Sequence, residues 1–368
     1  MEKQTAFIDG SRLMIEAAVQ AGAEVFVGYP ITPANLLYAY SSRRFPMVLP
    51  APDEITTLQW MSGFSAAGRF PVTATSYPGL ALMIESIGMA FMMELPMVVM
   101  LVQRLGPATG TATCGAQGDL SLLHGINSGG QPIPTLCPSS LDDCYILSTE
   151  AVRLAIRLRC PVFLLSSKEM VMTLQSYDLS RLEPVERVPR EFYSGSEAYL
   201  PYAAGADGVP PFLPVGDTVH QVRFTASTHE MNASLQHSTP EALENTRRLR
   251  FKTEHNLHEY TLYEYDKRES DILIFSFGIT AAAAREAAAS LEKRGRPVSL
   301  LVAKTLFPVP TEYLRIMEGY SRVIIAEENQ GGQYREILFG KNGRNGVSGV
   351  NGIGRLISPN EIEAEVEK

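Results

Sequence analysis

Closely spaced cysteines are missing from this chain. Cys114, Cys137, Cys144 and Cys160 are the four cysteines in 368 residues, and no two form a Cys-x-x-Cys pair. Iron–sulfur clusters generally want neighbouring thiolates, so a cluster held by this chain alone is not expected, and four reduced thiols are. Positive charge is also scarce: 32 Lys and Arg stand against 40 Asp and Glu, for a net charge of −8. That balance excludes a binder of nucleic-acid phosphates, which needs a basic face. The run Arg247-Arg248-Leu249-Arg250, followed by Glu254, reads as a solvated face. A clean membrane span is lacking too. The most apolar stretch, Leu80 to Val102, is interrupted by Glu85, Glu94 and Pro96 and divides into a buried helix and a strand. With Met1-Glu2-Lys3-Gln4 giving no signal-peptide pattern, a cytoplasmic protein without membrane contact is expected. Finally, Gly278-Ile279-Thr280 is a strand–glycine–helix turn without the G-x-G-x-x-G spacing, which removes a Rossmann dinucleotide reading.

What is present is alternation. Between Asp9 and Leu165, strand-like runs such as Val25–Gly28, Met47–Leu49, Val72–Thr75 and Met97–Val102 are separated by helical segments. This predicts βαβ units around a parallel sheet covered on both faces. The stretch 179–267 breaks the rhythm with seven prolines from Pro184 to Pro240 and few periodic runs. Its recurring Tyr, Phe and Leu predict an ordered excursion between domains that can lie against a partner. Alternation returns from Asp271, giving domains expected at 1–178 and 268–368, with Gly340–Gly354 expected as a flexible loop.

The loops after the first-domain strands carry the unusual residues, and in an open α/β sheet they share one edge. Gly28-Tyr29-Pro30-Ile31-Thr32-Pro33 stops a strand in a stiff turn, because each proline fixes its own φ and restrains the residue before it. Asp53 is placed as a helix N-cap, which puts Glu54 in the first turn. Glu54 is there either as a carboxylate favoured by the helix dipole or as one poised to exchange a proton with a bound heterocycle. Thr75-Ser76-Tyr77-Pro78-Gly79 offers two hydroxyls and a glycine before a helix, consistent with backbone close to a flat or anionic ligand, or with an ordinary turn. Arg104 follows an apolar strand, where its guanidinium can fork onto a ligand carboxylate or join a structural ion pair.

Taken together, these motifs resemble the α subunit of the 2-oxoacid:ferredoxin oxidoreductases, most closely the 2-oxoglutarate type. The matching pieces are Tyr29-Pro30-Ile31-Thr32-Pro33, Asp53-Glu54-Ile55, Thr73-Ala74-Thr75-Ser76 with Pro78-Gly79, and Val102-Gln103-Arg104 with Gly106-Pro107 and Thr109-Gly110. Phe277-Gly278-Ile279-Thr280-Ala281 and Glu328-Asn329 match later in the chain. The resemblance implies a pyrimidine-type thiamine diphosphate domain followed by a smaller transketolase-C-terminal-like α/β domain. In that reading Glu54, with Tyr29, Pro30, Ile31, Thr75 and Ser76, holds the cofactor, while Thr32 and Arg104 hold the 2-oxoacid carboxylate. Tyr77 stands where relatives commonly have glycine and would touch the acyl group. No Gly-Asp-Gly with a downstream asparagine is found, so Mg2+ and a [4Fe-4S] cluster are expected on a partner β subunit. CoA, ferredoxin and a dimer of αβ pairs are also implied. Pyruvate, branched-chain or aryl 2-oxoacids are the rival substrates, and a non-catalytic scaffold is the rival of another class.

Overall fold

Local signals place the helices that frame the sheet. The Asp9 carboxylate accepts from the Arg12 amide at 3.1 Å, opening one helix, and the left-handed Gly22 closes it. Asp53 caps another by accepting from the Thr56 amide at 2.7 Å. The computed structural model describes residues 4–368. It runs β1 (Thr5–Ile8), α1 (Gly10–Ala21), β2 (Val25–Gly28), α2 (Asn35–Arg44), β3 (Met47–Pro50), α3 (Glu54–Ala66), β4 (Pro71–Thr75), α4 (Tyr77–Met92) and β5 (Met97–Gln103). An irregular loop and α5 (Leu120–His124) lead to β6 (Thr135–Leu136), α6 (Leu141–Leu158), β7 (Pro161–Ser167), α7 (Lys168–Met172) and β8 (Gln175–Asp178). The remainder is α8 (Pro240–His255), β9 (Tyr263–Asp266), β10 (Ile272–Phe277), α9 (Thr280–Lys293), β11 (Ser299–Ala303), β12 (Thr305–Phe307), α10 (Thr311–Glu318), β13 (Arg322–Glu327), α11 (Gln333–Phe339), β14 (Val347–Asn351) and α12 (Pro359–Val366).

The larger sheet has the order β12-β6-β7-β5-β4-β2-β3 and is parallel from β6 through β3. Strands β2, β4, β5 and β7 are buried along their whole length. Helices α1, α2 and α6 pack together, as do α3 and α4, which gives the sheet a helical layer on each face. The apolar run from Leu80 to Val102 is divided between α4 and β5, and no helix among the described residues is long and apolar enough to cross a membrane. The smaller sheet, β14-β13-β10-β11-β9, is parallel except for its β9 edge.

The two sheets meet at Gln117, which is 1 % exposed. Its side-chain amide donates to the Phe277 carbonyl at 2.9 Å and accepts from the Thr280 hydroxyl and the Glu328 amide, each at 2.8 Å. Its backbone pairs with Glu328 and Asn329. β12 then crosses over to pair antiparallel with β6, and Lys304 reaches Asp143 at 2.6 Å.

Four expectations need correction. The 179–267 stretch contains α8, whose inward positions Ala242, Asn245, Leu249, Lys252 and Thr253 are mostly polar, so its helical period carries no apolar signal. β9 also lies within it and forms the second sheet's edge before residue 268. The Gly340–Gly354 tract contains β14, in which Gly349 lies against the end of the Arg335 side chain. Arg247 and Arg250 are exposed, but Arg248 turns inward to Glu94.

Glu94 is fully buried, held by both Nη atoms of Arg248 and by Lys252 Nζ at 2.5 Å. Burial pushes its carboxyl up, but the charges of Lys252, Arg248 and Arg159 outweigh that and hold it down to about 2. A depressed carboxyl contributes stability above its unfolded value of about 4.5, and that contribution is lost as pH falls toward 2. Glu94→Gln is expected to lower the unfolding free energy by ~3–5 kcal/mol at pH 7. It should also flatten the acid dependence between pH 4.5 and 2. Denaturant unfolding across pH checks both, and equal curves for the two proteins would contradict the role.

Candidate functional site

Strands β5, β4, β2 and β3 are parallel neighbours, so the loops after β2, β4 and β5 and the start of α3 after β3 lie along one edge. The chain leaves β2 toward β3 on one side and returns as β4 on the other. That reversal opens a crevice between the carboxyl ends of β2 and β4, the usual ligand position in open α/β sheets.

Two groups of residues gather there. In the first, Glu54 opens α3 directly after its Asp53 cap and is 7 % exposed. It lies against the bare Cα of Gly79: a Cβ built there would stand 2.2 Å from Thr75 Oγ1 and 2.7 Å from Glu54 Oε1. No side chain fits at residue 79, so glycine is what lets strand end, helix start and carboxylate converge. Among the described residues, the Glu54 carboxylate has no hydrogen-bond or ion-pair partner. Ser76 stands at the N-cap of α4, yet its buried Oγ bonds no helix amide and has no partner among the described residues. Tyr77, the first residue of α4, is half-buried.

In the second group, Arg104 Nη1 donates to the Thr32 carbonyl at 2.7 Å, tying the β5 loop to the β2 loop. Arg104 is 7 % exposed and its Nε is buried without an acceptor among the described residues. Burial pulls its pKa down and the charge of Asp119 opposes that; no carboxylate lies within ion-pair distance of it among the described residues. Of the two readings of Arg104, the structural ion pair is therefore the one the geometry does not favour. Thr32 and Ile31 are half-buried, while Tyr29 and Pro30 are exposed. The two groups share the edge without a direct hydrogen bond between them.

Asp119 is the member the sequence reading missed. It is 5 % exposed, with Oδ2 unpartnered, and burial raises its carboxyl to about 7 against the pull of Arg104. An aspartate just before the apolar run Leu120–Leu123 is a helix-start signal, and that signal could have drawn attention to it.

The arrangement can hold a flat heterocycle against a proton-exchanging carboxylate, and an anion against a buried guanidinium. Comparisons with known proteins agree in kind. The family model for the thiamine diphosphate-binding part of pyruvate flavodoxin/ferredoxin oxidoreductases matches residues 16–247. The chain is 29% identical over 365 residues to a 2-oxoglutarate synthase subunit KorA of Methanocaldococcus jannaschii, covering 98% of each. It is likewise 29% identical to a ketoisovalerate oxidoreductase subunit VorB of Methanothermobacter thermautotrophicus, covering 99% of this chain and 97% of that one. Among solved structures it resembles the 2-oxoglutarate:ferredoxin oxidoreductase of Magnetococcus marinus, with TM-score 0.93, 29% identity and 99% of this chain covered. The chain spans 65% of the length of that solved chain.

Gly79→Ala tests the close approach. The added Cβ must displace Thr75 or Glu54, at an expected cost of ~1–3 kcal/mol. A thermal-unfolding comparison with Gly63→Ala, where a Cβ meets nothing within 4 Å, checks it. Equal destabilisation at the two positions would contradict the packing.

Proposed function

The chain belongs to the pyruvate flavodoxin/ferredoxin oxidoreductase family, in its thiamine diphosphate-binding part, and from that membership we propose that it is the α subunit of a 2-oxoacid:ferredoxin oxidoreductase acting on 2-oxoglutarate. With a β subunit it carries out CoA-dependent oxidative decarboxylation to succinyl-CoA with reduction of ferredoxin, or the reverse carboxylation through the same site. The observation that carries the reading is Glu54, buried and unpartnered, pressed against Gly79 and Thr75 at the mouth of the β2–β4 crevice.

The residues present fit the cofactor: a cradle that a single Cβ would fill, a carboxylate without a protein partner, and an orphaned Ser76 hydroxyl. When bound, thiamine diphosphate supplies the nucleophilic carbon and the electron sink that decarboxylation needs. Glu54 holds and returns a proton at a pyrimidine ring nitrogen. Thr75 and Ser76 line the ring beside it, with Tyr29, Pro30 and Ile31 shaping the adjoining turn. The stiff Pro30-Ile31-Thr32-Pro33 turn and Arg104 position the 2-oxoacid, with the guanidinium meeting its carboxylate. Mg2+ and the [4Fe-4S] cluster belong to the β subunit, and αβ pairs associate as dimers in the cytoplasm. The units are residues 1–178, the 179–267 excursion and the C-terminal unit, with β9 joined to the last.

A second substrate reading rests on Tyr77, whose ring at the start of α4 alters the pocket and suits a pyruvate, branched-chain or aryl side chain. The scaffold reading gives no reason for Glu54, Thr32 and Arg104 to be placed together on one edge.

The α chain co-expressed with its β subunit, given thiamine diphosphate, Mg2+ and CoA, should reduce viologen with 2-oxoglutarate faster than with pyruvate. Glu54→Ala should lower turnover by at least ~100-fold with assembly intact. Arg104→Leu should raise KM by roughly 10- to 100-fold. No reduction with any 2-oxoacid from an assembled, cluster-loaded complex would overturn the enzyme reading. Preference for a larger 2-oxoacid would overturn the substrate alone.

A further inference from the structure

At the amino ends of the first-sheet strands, away from Glu54, lies a local surplus of positive charge in a chain whose net charge is −8. Glu24, directly before β2, is fixed there by its backbone. Its amide donates to the Phe70 carbonyl at 3.0 Å, and its carbonyl accepts from the Met47 amide at 3.2 Å. Its Oε2 accepts from the Phe70 amide at 3.3 Å. Three guanidiniums meet the other oxygen, Oε1: Arg190 at 3.0 Å, Arg187 at 3.2 Å and Arg69 at 3.6 Å. Burial pushes the Glu24 carboxyl up, but Arg190, the Phe70 amide and the charge of Arg69 outweigh that and hold it below its ordinary value.

One carboxylate cannot balance three guanidiniums, so two positive charges are in excess there. Arg190 is turned inward and also donates to the Gly68 carbonyl at 2.6 Å. Arg69 and Arg187 face outward, with side chains 61 % and 64 % exposed. Among the described residues, Arg187 makes one side-chain hydrogen bond, through Nη2 to Glu24, and Arg69 has only its longer contact with that carboxylate. Both keep unused N–H donors on exposed side chains, and ion pairs as exposed as these hold little. The neighbouring carboxylates in sequence, Glu186 and Glu191, line other recesses, beside Tyr177 and beside Phe212. Arg43, in the last turn of α2 just before Pro46, has no ion-pair partner among the described residues and adds to the positive field.

Space is available at the same place. A cavity of about 330 Å3 is lined by Arg69 and Arg187, with Glu24 the carboxylate at its lining and Val19, Pro46 and the half-exposed Met47 among its apolar walls. Gly22 lines it too, and Arg187 lies across that residue: a Cβ built there would stand 3.2 Å from Arg187 Cγ and 3.5 Å from its Nε. An excess of two positive charges matches a phosphate monoester, which is close to doubly charged at neutral pH and presents three strong acceptor oxygens. A carboxylate would balance only one of the two. The apolar walls leave a surface for the organic part of such an ester.

We infer that this cavity is a second ligand site, which takes a small phosphate monoester. The phosphoryl oxygens meet Arg69 and Arg187, and the organic body lies against Val19, Pro46 and Met47. The site stands at the strand ends opposite Glu54, so it does not rest on the reaction proposed there.

Phenyl phosphate is the probe, with inorganic phosphate and benzoate as comparators. Each is titrated by calorimetry into the assembled αβ complex already saturated with thiamine diphosphate, Mg2+ and CoA. Phenyl phosphate is expected to bind, more weakly as salt is raised, and to be weakened at least about 10-fold by Arg69→Gln and by Arg187→Gln. Turnover with the 2-oxoacid should be retained in both. Because both arginines also touch Glu24, Met47→Glu is the third variant. It leaves the arginines in place, sets a carboxylate on the cavity wall, and should weaken phenyl phosphate to a similar degree. No binding at millimolar concentration, or binding that these variants leave unchanged, would overturn the site. Benzoate binding as tight as phenyl phosphate would overturn the charge match, and inorganic phosphate binding as tight would overturn the apolar half of the assignment.

Discussion

Everything at the candidate site depends on one close approach, the Glu54 carboxylate and Thr75 hydroxyl against the bare Cα of Gly79. Any side chain at 79 would collide with one of them, so this contact sets how closely α3 and α4 converge over the crevice. The sheet order does the rest. β4 returns on the far side of β2 from β3, so α3 begins on one side of the crevice and α4 on the other, and the carboxylate comes to lie between them. Arg104 adds a tie across the same edge through the Thr32 carbonyl, so the stiff proline turn and the guanidinium hold a common register.

The second domain is part of this support. Gln117 lies between Arg104 and α5, and its side chain binds the ends of β10 and β13 while its backbone binds Glu328 and Asn329. A glutamine can satisfy a carbonyl and several donors at once, which an apolar residue cannot, so a polar hub at the seam costs little. The smaller sheet thereby restrains the loop that carries Arg104 and Asp119. At the other edge, Glu94 and its cations fasten the excursion under the sheet, leaving the carboxyl edge free for chemistry.

Much of this was legible in the sequence, for reasons that can be named. β2 and β5 are buried on both faces, so they read as nearly continuous apolar runs, and Asp53 announced α3 through its cap. α8 was illegible because its buried stripe includes the polar Asn245, Lys252 and Thr253, and the partners that bury Lys252, Glu94 and the Arg159 carbonyl, lie far off in sequence. β14 was hidden because glycine depresses strand propensity, and its pairing with β13 is a tertiary contact that no local pattern records. At the site, Glu54 and Arg104 stood at marked turns. Asp119 did not, since its significance comes from burial beside Arg104, which no local pattern records. The role of Arg248 failed to show for the same reason: a run of basic residues does not say which one turns inward.

The central claim is that Glu54 is the proton-exchanging group for a bound aminopyrimidine. The most direct measurement is hydrogen–deuterium exchange at the thiazolium C2 of thiamine diphosphate bound to the assembled αβ complex, wild type against Glu54→Gln. Exchange slowed by about 100-fold or more, with cofactor still bound, is the expected result. Equal exchange rates in the two complexes would contradict it.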